Sequence, residues 1–218
     1  MRRALFFDFD GVICDTERAA NRSWQELYAR LGLEFPATVW AAMAGHANGQ
    51  DVAMADVAAR IGRPLTGDEI AWRLERKQRL ADEEPVRPCV AVILAAAARS
   101  DRYLAVVSSS RESWVGGHLD RLGLRDGFDL IVTGDGRIPS KPAPDLYLHA
   151  LACSGLPPET VTVIEDSPPG VAAARAAGLR CVAVPNAVTG AAGLGAADAM
   201  LDPEAPDLAV VGLAEVIA

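Results

Sequence analysis

The sequence predicts an α/β fold, a doubly wound parallel sheet with a helical insertion after its first strand. Three observations predict it. A short, wholly apolar run from Ala4 to Phe7 opens the chain, as in a central parallel strand buried on both faces. Beyond residue 87, apolar strand-like runs alternate with helix-length segments, the pattern of βαβ units. Between these regions, residues 15–86 hold helix-like segments with no strand among them. The expected division is therefore a core of residues 1–14 and 87–218 and a helical cap of residues 15–86, with hinges near Asp15 and Pro85.

Each element has a local reason. The first strand runs into Asp8-Phe9-Asp10-Gly11, and in extended backbone the two acids point the same way, with Phe7 and Phe9 opposite. Residues 16–31 form a helix with Ala20, Trp24, Leu27, Tyr28 and Leu31 on one face and Gly32 as its stop. Residues 52–61 form a second helix, closed by Gly62. Thr66-Gly67-Asp68-Glu69 has the spacing of a capping box and opens a third, running towards Asp82. Pro85 and Pro88 then break the helical pattern. In the second region, strands are expected at 103–107, 129–132, 160–164, 180–184 and 199–201. Helices are expected at 90–98, from Ser110 to Leu122, from Lys141 to Gly155, up to Gly178, and at 208–217.

Composition narrows the function. At 218 residues, the chain buries roughly 70–75% of its unfolded surface, so its core needs no staples. The net charge of −8 and isoelectric point near 4.9 argue against nucleic acid or an anionic membrane as partner. They also mean that an anionic substrate needs locally placed cations. Cys14, Cys89, Cys153 and Cys181 lack metal-binding spacing and read as reduced thiols. With no apolar span and no signal-peptide pattern, the expectation is a cytoplasmic protein, a monomer with a small-molecule partner.

In an open parallel sheet, ligands bind at the carboxyl ends of the strands. The residues there are Asp8 and Asp10, then Ser108, then Glu165 and Asp166, with Lys141 on a loop able to reach the same rim. Asp-x-Asp-Gly alone also suits a solvated turn, and it matches a calcium loop poorly because Gly11 is misplaced and Cys14 and Thr16 follow. Four acids, a hydroxyl and an ammonium at one rim suit phosphoryl transfer: a carboxylate can attack phosphorus, while a metal and a lysine neutralise the transferring oxygens. No Walker sequence, Gly-x-Gly-x-x-Gly or Gly-x-Ser-x-Gly is present.

Asp8-Phe9-Asp10-Gly11-Val12, Ser108, Lys141-Pro142 and Glu165-Asp166-Ser167 occur in the order that marks the haloacid dehalogenase superfamily, and the chain resembles that family along its whole length. Ser140-Lys141-Pro142-Ala143-Pro144-Asp145 and Ile164-Glu165-Asp166-Ser167, followed by Gly170, resemble its branch of beta-phosphoglucomutases and sugar-phosphate phosphatases. The resemblance implies a nucleophile at Asp8 and an acid–base at Asp10. It implies Mg²⁺ held by Asp8, Asp10 (through its carbonyl), Glu165 (through water) and Asp166, and phosphate held by Ser108 and Lys141. Ser109 would add a backbone contact and Ser110 a helix cap. Arg111 is either a phosphate contact or an exposed helix-start residue. His46 and Asn48, in the cap loop, would read the leaving group.

Within that branch, phosphoglucomutases carry a His where this chain has Ala20, and a Lys and an Arg where it has Ala44 and Asn48. The cap is therefore expected to lack the cations that grip a second phosphate, and a phosphatase acting on a sugar phosphate is expected over a phosphosugar mutase. A dehalogenase lacks the second acid of the pair, and a non-catalytic member has usually lost one; both acids are present.

Overall fold

A computed structural model of the chain describes residues 2–43, 49–186, 188 and 190–213. Among the described residues, six parallel strands form one sheet: β1 (Arg3–Phe7), β2 (Arg102–Ser108), β3 (Leu130–Thr133), β4 (Val161–Glu165), β5 (Arg180–Ala183) and β6 (Ala199–Met200), in the spatial order β3-β2-β1-β4-β5-β6. The order reverses at β1, which pairs with β2 on one side and β4 on the other. A crevice for ligand opens at such a reversal.

The strand period of two explains the two layers around the sheet. Leu5 and Phe7 of β1, with Leu104 and Val106 of β2, face one cluster, completed by Ile93 of α5 (Pro88–Ala97) and Leu119 of α6 (Glu112–Arg121). Ala4 and Phe6, with Ala105 and Val107, face the other, completed by Leu146 and Tyr147 of α7 (Asp145–Ser154) and Val171 of α8 (Pro168–Ala176). β1 is apolar on both faces because both are covered.

Residues 16–82 contribute α1 (Thr16–Arg30), α2 (Ala37–Met43), α3 (Gly49–Ile61) and α4 (Gly67–Asp82), packed around a separate cluster that includes Trp24, Leu27, Tyr28, Trp40 and Val57. The capping box forms as read: Thr66 Oγ1 accepts from Glu69 N, and Glu69 Oε2 accepts from Thr66 N at 2.7 Å. The chain's two crossings between the sheet and these helices run side by side, with Cys14 bridging Val86 and Arg87 N donating to Ile13 O at 2.9 Å.

Four expectations need correction. α2 is an added helix, whose seven residues after Pro36 show too little periodicity to predict it. α3 begins at Gly49 rather than at residue 52. The Lys141–Pro144 stretch is a turn, and α7 starts only at Asp145; Pro142 and Pro144, two residues apart, leave it short of backbone donors. At 208–213 there is no helix: Gly212 takes φ +73°, and Leu213 N returns to Leu208 O. Residues 214–217 of that expected helix lie outside the described residues. Among the described residues, no helix is long and apolar enough to cross a membrane, and all four cysteines are free.

Candidate active site

Register brings the acids together. Phe7 pairs with Val106 and with Ile164, so Asp8, one residue on, falls between the ends of β2 and β4, its N–H donating to Ile164 O at 2.9 Å. Lys141 reaches this point from the loop before α7. Its Nζ donates to Asp8 Oδ1 at 2.5 Å, Glu165 Oε1 at 2.6 Å and Val107 O at 2.8 Å. An ammonium has three donors, and all three are used.

Glu165 is fully buried. Oε1 also accepts from Tyr147 Oη at 2.7 Å, and Oε2 accepts from Asp166 N and Ser167 Oγ, each at 3.2 Å. Its carboxylate rests on the first turn of α8, where a Cβ on Gly170 would overlap it. The N-terminal end of a helix favours negative charge. Asp166, also buried, accepts from Asn186 Nδ2 at 2.6 Å, and its carboxylate lies against Gly11, whose φ of +79° and missing Cβ leave the necessary space.

Burial pushes Asp8 well above the usual carboxylate range. Lys141 opposes that shift, while Glu165 and Asp10 add to it. Burial also raises Asp166, reinforced by Asp8 and Glu165. Lys141 loses hydration too, but Asp8 and Glu165 outweigh that and hold its pKa above the ordinary lysine value. One oxygen each from Asp8, Glu165 and Asp166 lies within 4.8 Å of the others. Three buried carboxylates against one ammonium leave an excess of negative charge, and an all-oxygen donor set fits a hard divalent cation.

Asp10 differs from its partner acid. β1 stops at Phe7, and the chain turns at 9–14, so the two acids do not share an extended strand. They still line one cleft. Asp10 Oδ1 accepts from Thr16 Oγ1 at 2.5 Å and Trp114 Nε1 at 2.8 Å, and Oδ2 accepts from Ser110 Oγ at 2.5 Å. Ser110 is thus not the helix cap: the cap position of α6 belongs to Arg111, and the Ser110 hydroxyl is spent on Asp10. Ser108 is buried and accepts from Ser110 N at 3.0 Å, Ser109 Oγ accepts from Lys141 N at 3.2 Å, and Arg111 is exposed at the cleft edge. His46 and Asn48 lie outside the described residues.

The cleft between the sheet edge and the helical segment has a volume of about 640 Å³. Ala20, Trp40 and Met43 line its far side, together with three charged residues that sequence reasoning missed: Glu17 of α1 and Arg73 and Lys77 of α4. The sequence puts no cation at Ala20, Ala44 or Asn48, but the third expected helix brings two others, Arg73 and Lys77, to the cleft. Trp114, Tyr147 and Asn186 were also missed. Arg87, likewise unread, donates to Gly11 O and, at 2.8 Å, to Pro185 O, tying the loops that carry Gly11 and Asn186. Trp24 and Tyr28 belong to the helical segment's own cluster, and Cys14 is a buried thiol that burial pushes up to about 12.

An α/β fold with an acid–lysine cluster at the reversal of its strand order suits an enzyme of the phosphoryl-transfer type. The match to the haloacid dehalogenase-like hydrolase model extends over residues 2–178, and the chain belongs to that family. It is 39% identical over 191 residues to YhcW of Bacillus subtilis (strain 168), covering 87% of this chain and 86% of that protein. It is 31% identical over 180 residues to the fructose-1-phosphate phosphatase YqaB of Escherichia coli (strain K12), covering 83% and 95%. A solved family hydrolase from Deinococcus radiodurans R1, with bound phosphate and sodium, superposes with a TM-score of 0.78 at 27% identity, covering 99% of this chain and 96% of that one. The protein is a phosphatase of this family.

Proposed function

We propose that the protein is a Mg²⁺-dependent phosphomonoesterase acting on a sugar phosphate through an aspartyl-phosphate at Asp8, with residues 15–86 closing as a cap over the core of 1–14 and 87–218. The observation that carries this reading is the Asp8–Lys141–Glu165–Asp166 cluster, buried at the point where the strand order reverses. Asp8, Asp166 and Glu165 would hold Mg²⁺, which supplies charge neutralisation at the transferring oxygens.

The Asp8 carboxylate attacks phosphorus, a P–O bond forms, and the bond to the leaving oxygen breaks. Asp10 gives that oxygen its proton. Trp114 can only donate, so Oδ1 stays an acceptor, and the proton rides on Oδ2, where the Ser110 hydroxyl can turn to accept. Asp10 then takes a proton from water, whose oxygen attacks phosphorus and frees Asp8 and phosphate. Lys141 holds Asp8 in place and offsets its charge, and Ser108 and Ser109 shape the phosphate end. The fructose-1-phosphate phosphatase relative supports a sugar phosphate as the substrate class.

The test is a phosphate-release screen over sugar phosphates with Mg²⁺ and with EDTA. Release from several esters, lost with EDTA and lost in a folded Asp8→Asn variant, is expected. Full activity of Asp8→Asn would remove the assigned nucleophile. Conversion of beta-glucose 1-phosphate into glucose 6-phosphate without free phosphate would make the protein a mutase.

A further inference from the structure

We propose that Arg73 and Lys77 form a subsite for a second anionic group, so that the preferred substrates are sugar phosphates bearing a second phosphate or a carboxylate. This rests on the phosphatase reading and deepens it. The two cations are four residues apart on α4 and share one face, turned to the cleft. Arg73 is only 6% exposed, yet its Nε has no hydrogen-bond partner among the described residues. Its guanidinium lies over the Trp24 ring at 4.4 Å, a contact that holds it in place without using an N–H donor. Lys77 Nζ lies over the Trp114 ring at 4.2 Å.

Elsewhere in the helical segment, Arg18, Arg22, Arg60, Arg63 and Arg76 each pair with a carboxylate. Among the described residues, Arg73 and Lys77 have no such ion pair. Glu17, on the same wall, has none either, although its charge acts on both cations. A buried guanidinium with free donors is costly. Two adjacent oxygens of a phosphate or a carboxylate are the ligand its fork fits. Within a chain of net charge −8, two clustered cations lining the cleft also offset repulsion of a multiply charged substrate. The cleft is large enough for such a molecule.

The test compares kcat and KM on matched pairs: fructose 1,6-bisphosphate against fructose 1-phosphate for the phosphate arm, and 6-phosphogluconate against glucose 6-phosphate for the carboxylate arm. The compound p-nitrophenyl phosphate reads the chemistry alone. The doubly anionic member of at least one pair should be favoured about tenfold or more in kcat/KM, the scale of a charged hydrogen bond. Arg73→Gln should collapse that ratio chiefly through KM, and Arg73→Lys should restore part of it. Lys77→Gln should lower the ratio less, and it keeps the test available if Arg73→Gln fails to fold. No preference in the wild type, or equal losses on both members of a pair, would overturn the subsite while leaving the phosphatase reading intact. Release from none of the probes, p-nitrophenyl phosphate included, would overturn both.

Discussion

The two walls of the cleft treat charge differently. At the sheet edge every donor of Lys141 is used, Asp10 takes three hydrogen bonds, and Asp166 is held by Asn186. On the helical wall, Glu17, Arg73 and Lys77 make no hydrogen bond or ion pair among the described residues, and the cations rest on indole rings. A wall that performs one invariant step can be preorganised. A wall that selects a ligand keeps polar groups for that ligand to satisfy.

Breaking the first wall should cost most. Lys141→Met leaves Asp8 and Glu165 without their cation, and a buried pair broken on one side loses roughly 3–5 kcal/mol. Urea denaturation should show that loss together with the loss of phosphate release. An unchanged midpoint would mean that the cluster does not need its lysine.

The same wall should respond to pH and metal. The folded protein holds Asp8 and Asp166 above the ordinary carboxylate pKa, so between that value and the raised ones the folded state binds more protons than the unfolded chain. Stability without metal therefore falls as pH rises from about 4. Thermal melting with EDTA should show a decline from pH 5 to pH 8, and Mg²⁺ should reverse it. A melting temperature that rises with pH in EDTA would contradict the placement of these acids.

A narrower change sharpens the comparison. Trp114→Phe keeps a ring beneath Lys77 but removes the donor on Asp10 Oδ1. Turnover should fall about tenfold, the scale of one hydrogen bond to a charged group, with KM little changed. The smallest effect belongs away from both walls: Thr66→Ala removes the cap of α4 at a cost of about 1 kcal/mol, read by urea denaturation, and leaves turnover as it was.

What was legible in the sequence follows this division. Asp8, Ser108, Glu165 and Asp166 stand at or just beyond strand ends, and a strand end is written locally in apolar runs. Lys141 came with a motif. The groups that orient them were not legible, because each acts across the fold: Trp114 reaches Asp10 over 104 residues, and Ser110 reaches it over 100. Nothing in a helical face containing Arg73 and Lys77 distinguishes a cation that turns inward from one that meets solvent; only the packing of α4 against α1 decides that. α2 escaped notice for a plainer reason, its brevity.

Rapid acid quench of the wild-type enzyme turning over a ³²P-labelled sugar phosphate, followed by peptide mapping, reads the covalent step itself. Label on the peptide that carries Asp8, absent from Asp8→Asn, is the predicted result. An active enzyme that carries no label on that peptide, or carries it on another residue, would contradict the nucleophile at the end of β1.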